Sequence, residues 1–222
     1  MIFLKNGPQK TVTKFQNRQQ AGFVLSQELK QLHLDKNVLI CAIPRGGVTV
    51  GAEIAAELKV PLTALPVKKI PAPGNSELAI GAIGPWGKPI FDDQLISTLQ
   101  ISQHSLKPEV KKAKDEVNRR VREYQLKKPN FSAKTVVITD DGIATGSTIM
   151  LAAKLVRSLS PKSLILAVPV APKSTVENLQ SQFDKVVVLL QPEEFRAVGQ
   201  FYYDFPEVKD DEVIKLLRGL EN

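Results

Sequence analysis

Two adjacent carboxylates, Asp140 and Asp141, are followed by Gly142, Ile143, Ala144, Thr145, Gly146, Ser147 and Thr148. Paired acids work on hydroxyls or metal ions, and a glycine-punctuated turn that runs into hydroxyl residues suits an anion. Amides of such a turn, and of the first turn of a following helix, point outward unpaired, and the helix dipole favours negative charge there. Two acids beside a phosphate would repel it unless something between them donates hydrogen bonds to the acids. A ribose 5-phosphate meets that condition: its ring hydroxyls donate to Asp140 and Asp141 while its phosphate sits on Thr145–Thr148. The run is not a Walker A loop, because no Lys follows Gly146, and it is not G-x-G-x-x-G. An ordinary strand–turn–helix junction explains an Asp-Gly turn with a Ser/Thr cap, but not the whole run.

The elements that must position these residues can be read from hydrophobic patterning. Val136, Val137 and Ile138 form a short β-branched run, the pattern of a strand buried on both faces of a parallel sheet. Ser147 and Thr148 are expected to cap the apolar helix around Met150–Leu159. Val38–Ile43 predicts a second buried strand, followed by Pro44, Arg45, Gly46, Gly47 and a helix over 48–58. Two glycines after a strand let the backbone approach a ligand and aim amides at it, and Arg45 adds a planar donor suited to phosphate oxygens. A tight strand-to-helix turn is the alternative reading of these four residues. Leu62–Val67 reads as a third strand with Lys68 and Lys69 at its end, on the rim where open α/β sheets gather ligands. Alternation along a strand lets one of the two lysines face the site, and Lys68 is the one expected there. Ser163–Val170 and Lys185–Leu190 complete the strands, and Ser174 with Glu177 predicts a capping box. Strands thus alternate with helices from 38 to 190, which implies right-handed crossovers and a mostly parallel α/β sheet in one domain.

Composition excludes several classes of function. The 222 residues can bury a real core, with 43% hydrophobic and 24% charged residues. Cys41 is the only cysteine, so no internal disulfide framework exists, and its apolar surroundings predict a buried thiol compatible with a reducing cytoplasm. No run approaches the roughly 20 apolar residues of a membrane span, and no signal-peptide pattern opens the chain. His33 and His104 are isolated, which removes metal-ligand spacing and a histidine-based triad. The net charge of +7 is concentrated in residues 105–134, where ten Lys/Arg stand against four acids.

The run Val136–Thr148 resembles the signature of type I phosphoribosyltransferases, which bind phosphoribosyl pyrophosphate (PRPP). That resemblance implies a Rossmann-like fold with an inserted loop or hairpin, the basic helix and a small C-terminal hood. It implies transfer of phosphoribose from PRPP to a nitrogen acceptor, with release of pyrophosphate and the assistance of Mg²⁺. Asp140 and Asp141 would hold the ribose, Gly142–Thr148 the 5-phosphate, and Arg45, Gly46 and Gly47 the pyrophosphate, with Lys68 or Lys69 as a further cation. The family's enzymes for 6-oxopurines usually carry an acid where this chain has Ala144, which disfavours hypoxanthine and guanine. Phe15–Arg18 with Ala21 and Gly22, and the tail Phe195–Phe205, resemble a bacterial group of such proteins without an assigned acceptor base. In that group an acid precedes the Arg, and Asn17 departs from it. The resemblance further implies a cytoplasmic homo-oligomer such as a dimer.

Four segments remain. Residues 14–34 predict an amphipathic helix through Ala21, Val24, Leu25, Leu29 and Leu32. Residues 70–104, rich in Pro and Gly, predict a loop with an excursion hairpin, and the family places a mobile lid there, matched by 72–77. Trp86 is expected to cover the hairpin. A basic helix over 105–126 shows a narrow apolar stripe and i,i+4 charge pairs, expected as Asp115–Arg119, Glu116–Arg120 and Glu123–Lys127, which favours a solvated packing helix over a nucleic-acid reader. The aromatic tail could stack a planar base or close the open end of the sheet, and Asp210–Leu217 predicts a final helix. The core is therefore expected over 36–190, with 70–134 as the insertion and the N-terminal helix and 191–222 as additions. A non-catalytic PRPP- or nucleotide-sensing regulator on the same fold is the alternative function; a phosphatase or kinase lacks a nucleophile or P-loop.

Overall fold

The computed structural model describes residues 13–219. In chain order its elements are α1 (Arg18–Gln31), β1 (Val38–Ala42), α2 (Gly46–Leu58), β2 (Leu62–Ala64), β3 (Lys68–Ala72), β4 (Asn75–Ile83), β5 (Ile90–Phe91), α3 (Asp93–Thr98) and α4 (Gln103–Glu123). There follow β6 (Thr135–Thr139), α5 (Ser147–Arg157), β7 (Ser163–Val170), α6 (Lys173–Leu179), β8 (Lys185–Leu190) and α7 (Asp210–Gly219).

Five strands form a parallel sheet in the order β2-β1-β6-β7-β8. Successive side chains alternate between its faces, and the sequence is apolar on both, so two cores result. Ile40, Val137 and Ile165 pack with Leu25, Leu29, Val50 and Ile54 of α1 and α2. On the other face Leu39, Cys41, Val136, Ile138, Leu164 and Leu166 pack with Ile149 and Val156 of α5 and Val176 of α6. Cys41 is fully buried, and desolvation pushes its thiol up, so it serves as a small hydrophobe.

Several local expectations need correction. Helix α1 starts at Arg18, not at 14, because Asn17 caps it: its side-chain oxygen accepts the Gln20 amide at 2.9 Å. The strand expected over 62–67 ends at Ala64; the chain then leaves the sheet, so Lys68 and Lys69 open β3 rather than end β2. At α5 the cap is Gly146, at φ 75°, and Ser147 and Thr148 already lie in the first turn without a side-chain cap bond. Ser174 likewise lies inside α6, whose N-cap is Pro172, so no capping box forms there.

The insertion is more regular than its Pro/Gly content suggests. Strands β3, β4 and β5 form an antiparallel sheet, turned at Gly74 with φ 78°. It packs on α4 through Ile70, Ile80, Ile83, Leu106, Ala113 and Val117. Burying Ile70 and Ile80 contributes about 1.5–3 kcal/mol each. Trp86 covers the main core beside Phe131, ring centroids 5.9 Å apart. Helix α4 is capped by Ser102, which accepts the Ser105 amide at 3.2 Å. Its charges do not pair as Asp115–Arg119 and Glu116–Arg120. Glu116 instead meets Lys68 at 2.8 Å, Arg119 meets Glu123 at 2.7 Å, and Arg120 reaches Asp210 at 2.9 Å. Tertiary neighbours take Glu116 and Arg120, while Arg119–Glu123 remains a pair along the helix, of a kind worth only about 0.2–0.5 kcal/mol.

After β8 the chain crosses the carboxyl rim of the sheet as a strap. Phe15 and Tyr202 form a bridge, with Tyr203 donating its amide to the Phe15 carbonyl at 2.9 Å. Helix α7 then packs against α2 and β2. The ladder of β3 and β4 contradicts a lid that is mobile for want of hydrogen bonds, since Lys68–Ile83, Lys69–Ala82 and Ile70–Gly81 are paired. Amides of Gly81 and Ala82, residues paired on both sides, should therefore exchange slowly with or without ligand, while Asn75–Glu77 at the exposed tip exchange fast. Hydrogen exchange read residue by residue checks this; uniform fast exchange across 70–83 would contradict it.

Candidate functional site

Strands β1 and β6 are neighbours in register, Ala42 beside Thr139, so the turns that follow them lie side by side at the carboxyl ends of the sheet. The Ile43 amide donates to the Thr139 carbonyl at 2.9 Å and locks the two turns together. The approach is close enough to demand glycine. A Cβ on Gly46 would lie 1.9 Å from Asp141 Oδ2, and one on Gly47 would lie 2.9 Å from Asp140 Oδ1. The Pro44–Arg45 peptide that precedes them is cis.

The β6 turn wraps a hollow of about 190 Å³, lined by Asp140 and by Gly142–Ile149. Gly142 is pressed from behind, since a Cβ there would meet Val198 Cγ1 at 2.5 Å. Ile143 contributes only backbone: its side chain is buried in the core and its amide donates to the Val170 carbonyl at 2.9 Å. Thr175 of α6 donates its hydroxyl to the Ala144 carbonyl at 2.7 Å, pinning the turn from outside. Thr145 and Ser147 have hydroxyl oxygens 3.3 Å apart. Open α5 amides plus convergent hydroxyls make this hollow a fit for a phosphate.

The acids sit between that hollow and the β1 turn, in different surroundings. Asp141 Oδ2 accepts Arg18 Nε at 2.8 Å, with side chains only 16% and 8% exposed. Asp140 Oδ1 accepts the Asp141 amide at 2.8 Å. Burial, then the charge of Asp141, raise the Asp140 carboxyl well above the usual range, with Arg18 only partly offsetting them. Arg18 also donates Nη1 to the Pro206 carbonyl at 2.8 Å, and its guanidinium lies 3.7 Å from the Phe205 ring centroid. Tyr202 donates its hydroxyl to the Asp141 carbonyl at 2.6 Å. Burial and then the Asp141 charge push the Tyr202 hydroxyl up, so it remains a donor.

A second hollow, of about 410 Å³, lies on the other side of Gly46, lined by Arg18, Arg45 and Phe205–Val208. Arg45 pairs there with Glu207, a residue of the strap. Asp140, Asp141, Arg45, Gly46, Gly47 and Gly142–Thr148 thus come together as the sequence predicts. Lys68 and Lys69 do not: neither lines either of these two hollows, and Lys68 pairs with Glu116. The tail rings are also largely committed. Phe195 stacks on Phe201, and Phe205 lies between Tyr202 and Arg18, so Phe205 offers no free face to a base. Sequence reasoning noted Arg18 and the tail that holds Tyr202 only through resemblance, without these roles, and did not note Glu207; the roles depend on contacts 123, 61 and 162 residues away.

Comparison with known proteins agrees with this geometry. The sequence model of the family described as "Phosphoribosyl transferase domain" matches residues 11–206. Two curated proteins of Mycobacterium tuberculosis, from strains CDC 1551 / Oshkosh and H37Rv, each bear the name "Putative phosphoribosyl transferase" and are 36% identical over 205 residues. The match covers 91% of this chain and 46% of theirs, so the chain spans about half the length of these relatives. The crystal structure of TT1426 from Thermus thermophilus superposes with a TM-score of 0.85 at 35% identity, covering 94% of this chain and 98% of that one. By the family match and by these relatives, the chain belongs to the phosphoribosyl transferase domain family.

Proposed function

We propose that the protein transfers phosphoribose from PRPP to a nitrogen acceptor and releases pyrophosphate, acting through a single domain with additions. The observation that carries this reading is an acid pair flanked on both sides by anion-accepting turns less than a side chain apart. The 5-phosphate rests on the α5 amides and on Thr145, Ser147 and Thr148. The ribose hydroxyls face the acid turn, and the pyrophosphate lies on the Arg45–Gly47 turn. Phosphoribosyl transfer passes through a transition state with oxocarbenium character, so the protein's work is positioning and stabilising the leaving group. Among the described residues no group of three or more acids, histidines or cysteines could hold a metal by itself, so magnesium would arrive with PRPP and add one hard carboxylate ligand from the acid turn. Asp140 would hold it, and when bound it offsets the charge of the leaving pyrophosphate. Ala144 stands where the family's 6-oxopurine enzymes usually carry an acid, which disfavours a 6-oxopurine acceptor.

Pyrophosphate release from PRPP and Mg²⁺ across adenine, orotate, uracil and simple amines tests the activity. Release with one acceptor and none without it is expected; no release with any acceptor, despite tight PRPP binding, would favour a PRPP-sensing regulator.

Asp140 carries a second, pH-dependent expectation. A carboxyl whose folded pKa is raised costs nothing below the unfolded range near ~3.9, loses stability steadily as pH rises from there to the folded value, and carries its full penalty above it. Asp140→Asn should therefore raise Tm at neutral pH, with the gain shrinking as pH falls below the raised pKa and gone by the unfolded range near ~3.9. It should also weaken PRPP binding by about tenfold or more, the scale of a hydrogen bond to a charged group. Thermal melts from pH 4 to 8 and calorimetry with PRPP read both effects.

Nucleic acid is not the partner we assign to α4. Lys107, Lys111, Lys114 and Arg122 fall on one flank by helical spacing, which favours some attraction for phosphates. A surface neutralising about six phosphates would show a log–log salt slope of roughly −4 to −5. RNA binding should instead be weak and gone by physiological salt, and PRPP affinity should be unchanged in Lys107→Gln/Lys111→Gln/Arg122→Gln. Filter binding over a salt series decides; submicromolar, sequence-selective binding would reverse the assignment.

A further inference from the structure

The two acids are held so differently that they cannot do the same job. Asp141 is clamped at both ends, its carboxylate by Arg18 Nε at 2.8 Å and its main-chain oxygen by the Tyr202 hydroxyl at 2.6 Å. Its Oδ2 also lies against Gly46, where not even a Cβ would fit. Arg18 is equally committed, through Pro206 and the Phe205 ring. Asp140 accepts a single hydrogen bond, from the Asp141 amide, and among the described residues has no ion-pair partner.

We propose that Arg18 is a positioning residue that withdraws Asp141 from ligand contact, leaving the sugar hydroxyls to Asp140 and making the Arg18–Asp141 pair the joint that fixes the strap to the acid turn. This rests on the phosphoribosyl reading above and divides the labour within it. Arg18 enters from the head of α1, and the strap segment it holds leads into α7. One buried cation therefore ties both ends of the described chain to the turn that carries the acids. An unpaired buried charge costs more than a buried pair removed whole. Losing Arg18 alone would leave Asp141 charged and free to swing toward Asp140 and the phosphates. Removing both charges would leave a neutral amide pair in the same space.

The cycle Arg18→Gln, Asp141→Asn and Arg18→Gln/Asp141→Asn, with Arg18→Lys and Asp140→Asn as references, tests this by calorimetry with PRPP and Mg²⁺ and by thermal melts. Arg18→Gln should lose at least tenfold in PRPP affinity and melt lowest. The double variant should recover both properties, binding within threefold of wild type, and Arg18→Lys should recover part. Asp140→Asn should lose at least tenfold without melting lower. If Arg18→Gln does not fold, Asp141→Asn and the double variant still decide, since both should bind far better than Asp140→Asn. A folded double variant that binds as poorly as Asp140→Asn would show that Asp141 holds the sugar itself and overturn the inference. Wild type that binds no PRPP would remove the phosphoribosyl reading and this inference with it; wild type that binds while the double variant does not would remove only this inference.

Discussion

The separation between the β1 turn and the acid pair constrains everything around it. With strands in parallel register and Ile43 bonded to Thr139, the two turns have no room for a side chain between them. Gly46 and Gly47 are the only residue type that fits, and their role is close approach, since neither has a positive φ. Once the turns touch, two carboxylates are removed from water next to each other. That is costly unless a counter-charge is also buried. Arg18 supplies it, and because it comes from the N-terminal helix, that helix must lie across the sheet with its head at the rim. The strap follows from the same need: the remaining face and donors of Arg18 are met by Phe205 and Pro206.

The site is thus built against stability. Asp140 is desolvated beside a like charge, and its raised pKa records the strain. Cores on both sheet faces hold it there, with Ile40, Ile138, Leu164 and Leu166 fully or nearly fully buried. Core burial of about 1.5–3 kcal/mol per large side chain easily outweighs one unfavourable carboxylate. Rigid strands are what let the protein keep a charge where a ligand, rather than water, can use it.

How much of this was legible follows from which contacts are local. The β6 turn is read within a dozen residues, because strand pattern, acids, glycine and hydroxyls are contiguous, and the structure keeps them in that order. The β1 turn is read as well, though only the structure reveals that its glycines serve contact with Asp140 and Asp141. Lys68 misled because a strand's length cannot be judged from apolar residues alone: Leu65 and Val67 are apolar yet lie beyond the end of β2. The hairpin in the Pro/Gly-rich insertion was legible, and Gly74 supplies the positive φ of its turn; the regular β3–β4 ladder, where a loop poor in hydrogen bonds was expected, was not. Arg18 was noted through resemblance, but its partner was not legible, as it stands 123 residues away. The aromatic tail left two readings open, and ring stacking of Phe205 between Tyr202 and Arg18 favours closure of the sheet over stacking of a base.

The two arginines beside Gly46 differ in how readily they can change partners, and that difference matters for any anion entering the second hollow. Arg45 and Glu207 form a pair whose side chains are 35% and 76% exposed. Exposed pairs contribute about 0–1 kcal/mol, so an incoming pyrophosphate, with more charge than one carboxylate, can displace Glu207 at little cost. Arg18 and Asp141 are buried, and breaking such a pair by removing one partner costs about 3–5 kcal/mol. A ligand would have to repay that before gaining anything from Arg18. The same hollow therefore presents one exchangeable cation and one fixed cation. On the proposed reading the exchangeable one meets the leaving group, while the fixed one keeps the acid turn and the strap in place around it.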